Sequence, residues 1–184
     1  MGFVGCAVDL YGKGVLGKNF EENARLMQPF IDDRAFLLER LQAAMSALQV
    51  HDMIGRSALG AMGFCFGGLC ALDLARSGAD LKGVVSLHGI LSAPKGMKHS
   101  KIKASILVLH GHDDPLVPPE RVFDFEKEMT QAQVDWQIHI YGHTMHAFTN
   151  PAASLPDKGL MFNPKVAKQA LESTALFFNR VLHV

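Results

Sequence analysis

Three stretches of the chain carry residues that could do chemistry together. The first is Gly63-Phe64-Cys65-Phe66-Gly67-Gly68, in which an apolar run turns at a cysteine and leaves through two glycines into a helix-like segment. This is the spacing G-x-nucleophile-x-G, with cysteine in the place of the commoner serine. A nucleophile at the tip of a tight strand-to-helix turn sits in strained backbone, so its neighbours must be small. Gly63 and Gly67 are read as the positions where a Cβ would collide. The sulfur then stands over the first turn of a helix, whose N–H groups favour an anion. The N–H of Phe66 would point at an oxyanion formed on a substrate.

The second stretch, Gly111-His112-Asp113-Asp114-Pro115-Leu116-Val117-Pro118, offers two carboxylates after an apolar run. The third, Gly142-His143-Thr144-Met145-His146-Ala147-Phe148, offers two imidazoles after another. Nucleophile, acid and histidine follow one another in the chain order of the α/β-hydrolases. On spacing alone Asp113 competes with Asp114, and His143 with His146. His139, His143 and His146, with His110, His112 and Asp114, are also residue types that zinc binds. A metal site would need His143 and His146 on a helix, between Gly142 and Pro151, so no metal and no cofactor is expected.

The elements needed to position these residues alternate between strand and helix. Buried strands are expected at 3–10, 57–63, 83–88, 105–110 and 135–141. Helices are expected at 20–27, stopped by Pro29, and from a cap at Asp32 or Asp33 to about Gln49. Others follow at 68–76 and 119–129, and a last one is capped by Asn163 and opened by Pro164. Residues 51–57 read as a loop. The alternation predicts an α/β fold, a parallel sheet covered on both faces, in one domain spanning 1–184. Each candidate group lies just past the carboxyl end of a strand, where such sheets collect ligands. His88 ends a strand and reads as structural or pocket-lining; Cys6 and Cys70 read as packed.

Four stretches resemble the dienelactone hydrolase family, cysteine-dependent members of the α/β-hydrolase fold: Asp9-Leu10-Tyr11-Gly12, the elbow at Cys65, the run Gly111 to Pro118, and His146-Ala147-Phe148. The resemblance spans most of the chain and implies a three-layer α/β-hydrolase-like fold. It implies Cys65 as nucleophile, Asp114 as orienting acid and His146 as base. It sets Tyr11, Phe148 and Asn150 beside the substrate, and Phe148 can also anchor the loop of His146. Tyr11 reads equally well as a wedge under its loop.

Two departures matter. Strands that open the family's fold are lacking, including the one that would lie between 3–10 and 57–63. The chain is therefore expected to be N-terminally truncated. The loop after the lacking strand usually supplies a second oxyanion donor, and losing one donor costs about 10²–10³ in rate, about 3–4 kcal/mol. Exposed sheet edges would then favour a homo-oligomer. Family members that bind an anionic dienelactone also use two arginines, at positions that here hold Ala7 and Asn150. The expected activity is cleavage of a carboxylic ester or lactone, dienelactone not being required. The alternative is a catalytically impaired hydrolase-like domain kept for binding or assembly. A redox role for Cys65 is weaker, since no resolving cysteine is obvious.

Composition narrows the remaining choices. The chain has 184 residues, 48% hydrophobic and 20% charged, which is globular. Formal net charge is zero, so no basic field exists to hold nucleic acid or an acidic membrane. No apolar run is long enough to span a bilayer, and the first residues lack the pattern of a signal peptide. Three cysteines without a C-x-x-C suit a reducing cytoplasm.

Overall fold

The computed structural model describes residues 2–50, 58–96 and 101–182. Contacts group the chain into two compact units, Met1–Ser57 and Ala58–Val184. The loop expected at 51–57 lies outside the described residues.

In the first unit, helix α1 spans Phe20–Asp32, capped by the Asn19 side chain on the N–H of Glu22. It runs through Pro29 instead of stopping there. Proline removes one intrahelical donor, but this lies within the last turn. The turn is held from outside the helix: Phe30 is buried and its ring stacks on Phe36 with centroids 5.4 Å apart. Helix α2, Arg34–Gln49, starts where Asp33 accepts from the N–H of Phe36.

The strand expected at 3–10 does not form. Residues 4–9 are exposed, Val4 at 69%, and belong to no ladder. An apolar, extended composition makes a strand only where a neighbour accepts its backbone hydrogen bonds. Asp9 instead folds back on its own loop, Oδ1 accepting from the N–H groups of Tyr11 and Gly12.

The second unit is built on a parallel sheet of β1 Gly60–Phe64, β2 Gly83–Leu87, β3 Ser105–Gly111 and β4 Trp136–Tyr141, in that spatial order. All of β2 is buried, and so is β3 after its first residue, as their unbroken apolar runs require. Helix α3, Phe66–Arg76, packs on β1 and β2; α5, Pro164–Leu182, packs on β2 and β3. The glycines of β1 show that these helices take opposite faces. A Cβ on Gly60 would meet the Phe178 ring of α5, while one on Gly63, an odd step along the strand, would meet Gly67 of α3. Helix α4, Pro119–Gln131, joins the α3 side through Glu128, which holds Arg76 in a bidentate pair at 2.7 and 2.8 Å. Asn163 caps α5 as expected, accepting from the N–H of Val166.

A small feature was not foreseen. Between β4 and α5 lies a hairpin of β5 Ser154–Leu155 and β6 Leu160–Met161, joined by a 3₁₀ turn at Pro156–Lys158. Two-residue strands leave no periodicity to read.

Candidate active site

Cys65 stands between β1 and α3 with φ 53° and ψ −117°, left-handed backbone that a cysteine adopts only under constraint. The constraint is visible. Its N–H donates to Leu87 O at 3.0 Å, and its carbonyl accepts from Gly68 N–H at 3.0 Å. The glycines divide the work differently from expectation. A Cβ on Gly63 would overlap the Gly67 backbone, and one on Gly68 would lie 2.5 Å from Ser86 Oγ and 2.8 Å from Gly89 Cα. A Cβ on Gly67 would meet nothing within 4 Å. The close approach therefore falls on Gly63 and Gly68, because the helix turns Gly67 outward.

The neighbouring acids separate cleanly. Asp113 is exposed and bonds His112 Nδ1 at 2.9 Å. Asp114 is buried, and both its oxygens are used: Oδ1 accepts from Leu116 N–H at 2.9 Å, Oδ2 from His146 Nδ1–H at 2.7 Å. The imidazoles separate too, His143 being exposed and His146 1% exposed. His146 is clamped by its backbone, its N–H donating to Gly159 O and its carbonyl accepting from Met161 N–H. The small hairpin thus holds the histidine in place.

Burial alone would lower the pKa of His146. The Asp114 hydrogen bond, then the hydrogen bond and charge of Cys65, then the Asp114 charge, outweigh it and raise the pKa to about 9. Nε2 of His146 is buried and makes no full hydrogen bond among the described residues. Such bonds are often loose before substrate arrives.

The other expected site residues lie as follows. Phe148 was expected at the substrate. It is fully buried, edge-on to His88 and Tyr141, and anchors the His146 loop from the core. Asn150 is exposed and uses its side-chain oxygen within its own loop, accepting from Ala152 N–H at 3.0 Å. Tyr11 belongs to the first unit, its ring packed on Phe30 at 5.7 Å. Phe66 is the first residue of α3 and is buried. His88, read from the sequence as structural or pocket-lining, meets the His146 ring edge-on, centroids 5.0 Å apart. Among the described residues no group of three or more His, Cys, Asp or Glu is arranged to hold a metal ion, and no helix is long and apolar enough to cross a membrane.

A cysteine at a strand-to-helix elbow of a parallel sheet, with a histidine–carboxylate pair beyond the carboxyl ends of later strands, defines an α/β-hydrolase-like fold. The dienelactone hydrolase family model matches residues 1–182, and the chain belongs to that family, hydrolases of ester and lactone type. An uncharacterized protein of Caenorhabditis elegans is 35% identical over 149 residues, covering 79% of this chain and 94% of that one. A Bradyrhizobium protein named as a probable 2-oxo-3-(5-oxofuran-2-ylidene)propanoate lactonase is 28% identical over 157 residues, 80% of this chain and 62% of that one. Of solved structures, one named m3DLH matches with a TM-score of 0.87 and 35% identity, over 95% of this chain and 73% of that one. A dienelactone hydrolase-like promiscuous phosphotriesterase from metagenomic libraries matches with a TM-score of 0.80 and 34% identity, over 86% and 66%.

Proposed function

We propose that this protein hydrolyses a carboxylic ester or lactone through a Cys65-His146-Asp114 triad and a thioester intermediate. One observation carries the reading: the buried 2.7 Å bond from His146 to Asp114, on an imidazole that Cys65 also acts upon. Asp114 fixes the Nδ1–H tautomer and leaves Nε2 for the reacting atoms. His146 takes or holds the proton of Cys65. The sulfur attacks the carbonyl carbon, and the carbonyl electrons move onto oxygen, beside the N–H of Phe66 at the head of α3. The C–O bond then breaks, and the leaving alkoxide takes the proton from His146.

The thioester carries no charge on sulfur. One of the influences that raise the His146 pKa is then gone, so the imidazole becomes a base. It takes a proton from water, the hydroxide attacks the thioester, and the thiolate leaves as the acid product departs. With Ala7 and Asn150 where the family's anionic-substrate binders carry arginine, the substrate is an ester or lactone without a required carboxylate.

Hydrolysis of p-nitrophenyl acetate tests this. Cys65→Ala is expected to abolish turnover, and mass spectrometry of the quenched wild type should show an acetyl group on Cys65. A full rate in Cys65→Ala would remove the cysteine from the mechanism. An inert, unalkylatable Cys65 would favour a non-catalytic, binding domain. The reducing cytoplasm is the compartment the chain's cysteine content suits. β1 ends the described sheet with Met62 and Phe64 exposed, so a second copy at that edge is the oligomer to expect. A monomer by light scattering at high concentration would count against it.

A further inference from the structure

His88 directly follows Leu87, the last residue of β2, and is 2% exposed. Its backbone has φ 38°, a region that glycine adopts at less cost than histidine. Its buried Nδ1 makes no full hydrogen bond among the described residues, a second cost. A purely space-filling position would avoid both. What the residue gains lies on the loop that carries the base. The His88 ring meets the His146 ring edge-on, centroids 5.0 Å apart and planes at 66°, and Nε2 is hydrogen-bonded to Thr149 Oγ1 at 2.7 Å. Thr149 is three residues beyond His146, and Phe148 between them packs edge-on to the His88 ring, centroids 5.1 Å apart.

We infer that His88 is a positioning residue for the reaction: it grips the base loop at the His146 ring and at Thr149, and so keeps His146 turned toward Cys65. The inference rests on the triad reading above. Asp114 restrains His146 at Nδ1, but one hydrogen bond leaves the ring free to swing about it. The His88 ring closes that swing. It does so without a competing charge, since burial and then the His146 charge lower the His88 pKa to about 3. Around this pair stand Asp114, Cys65 and the buried His110, whose pKa burial also lowers, so His146 alone of the three buried imidazoles holds a proton at neutral pH.

The test compares His88→Asn, which suits the left-handed backbone, with Thr149→Val and Thr149→Ser. For His88→Asn, kcat on p-nitrophenyl acetate is expected to fall about 10–10²-fold with KM nearly unchanged. The downfield proton resonance of the His146–Asp114 bond should broaden or shift. Thr149→Val should move both in the same direction, and Thr149→Ser, which keeps the hydroxyl, should restore them. A folded His88→Asn with kcat within about twofold of wild type and an unchanged resonance overturns the inference. If His88→Asn fails to fold, equal kcat and resonance in Thr149→Val and Thr149→Ser overturn it. Cys65→Ala in the same assay keeps the two ideas apart. Its activity judges the triad, whereas the resonance judges His88 in protein that need not turn over.

Discussion

Gly159 and Pro115 touch so closely that a Cβ on the glycine would overlap the proline ring. Pro115 follows the acid Asp114, and Gly159 accepts the backbone N–H of the base His146 at 2.9 Å. The contact therefore joins the two loops that must bring acid and base together. Gly159 also has φ 71°, which an alanine adopts at a cost of about 1–2 kcal/mol.

Gly159→Ala is expected to lower kcat by about 10²-fold, the scale of a misplacement near 1 Å. Trimming the proline ring in Gly159→Ala/Pro115→Ala should recover part of that loss. A double-mutant cycle with no coupling in kcat would show that the contact does not set the loop spacing.

The elbow glycines Gly63 and Gly67, four residues apart, predict opposite outcomes. Gly63→Ala forces the Cβ into the Gly67 backbone and should leave little folded protein. Gly67→Ala places a Cβ in open space within a helix and should raise stability by up to about 1 kcal/mol. Thermal melts of the two variants check this. A loss in Gly67→Ala as large as in Gly63→Ala would mean the strand-helix approach is not as described.

Asp114→Asn removes the acceptor that fixes the His146 tautomer and should cost about 10⁴ in kcat, the scale seen for that change in other triads. Asp113→Asn and His143→Ala touch exposed groups and should stay within about twofold. Steady-state kinetics on one ester decides among them. Activity that follows Asp113 would reassign the acid.

Two imidazoles set the pH dependence of stability from opposite sides. His146 has a folded pKa raised to about 9, so its contribution is complete below pH 6.5 and is lost as pH rises through about 9. His88 has a folded pKa lowered to about 3, so the unfolded chain binds its proton first and stability falls as pH drops from 6.5 toward 3. Stability should therefore peak near pH 6.5, each limb no steeper than about 1.4 kcal/mol per pH unit for one proton. Denaturant titrations across that range check it. His88→Asn should flatten the acid limb, and His146→Ala the alkaline one. Unchanged limbs would mean that neither ring is buried as described.

Much of this was legible along the chain. The elbow at Cys65, the buried strands on either side of His88 and before His112, and the Asn163 cap all follow from patterns a few residues long, because turn strain, ladder burial and capping are short-range effects. What the chain order could not reveal was which of two adjacent residues faces inward. Asp113 and Asp114 have the same chemistry, and only the path of the loop past Gly111 sends one to His146 and the other to solvent. The strand expected at 3–10 failed for a related reason. Its composition was right, but a strand exists only with a partner, and pairing is a property of the assembled sheet. The part played by His88, legible only as structural or pocket-lining, and that of Gly159 were hidden for the same cause: each matters through a residue far away in sequence, and distance in space is written only in the tertiary structure.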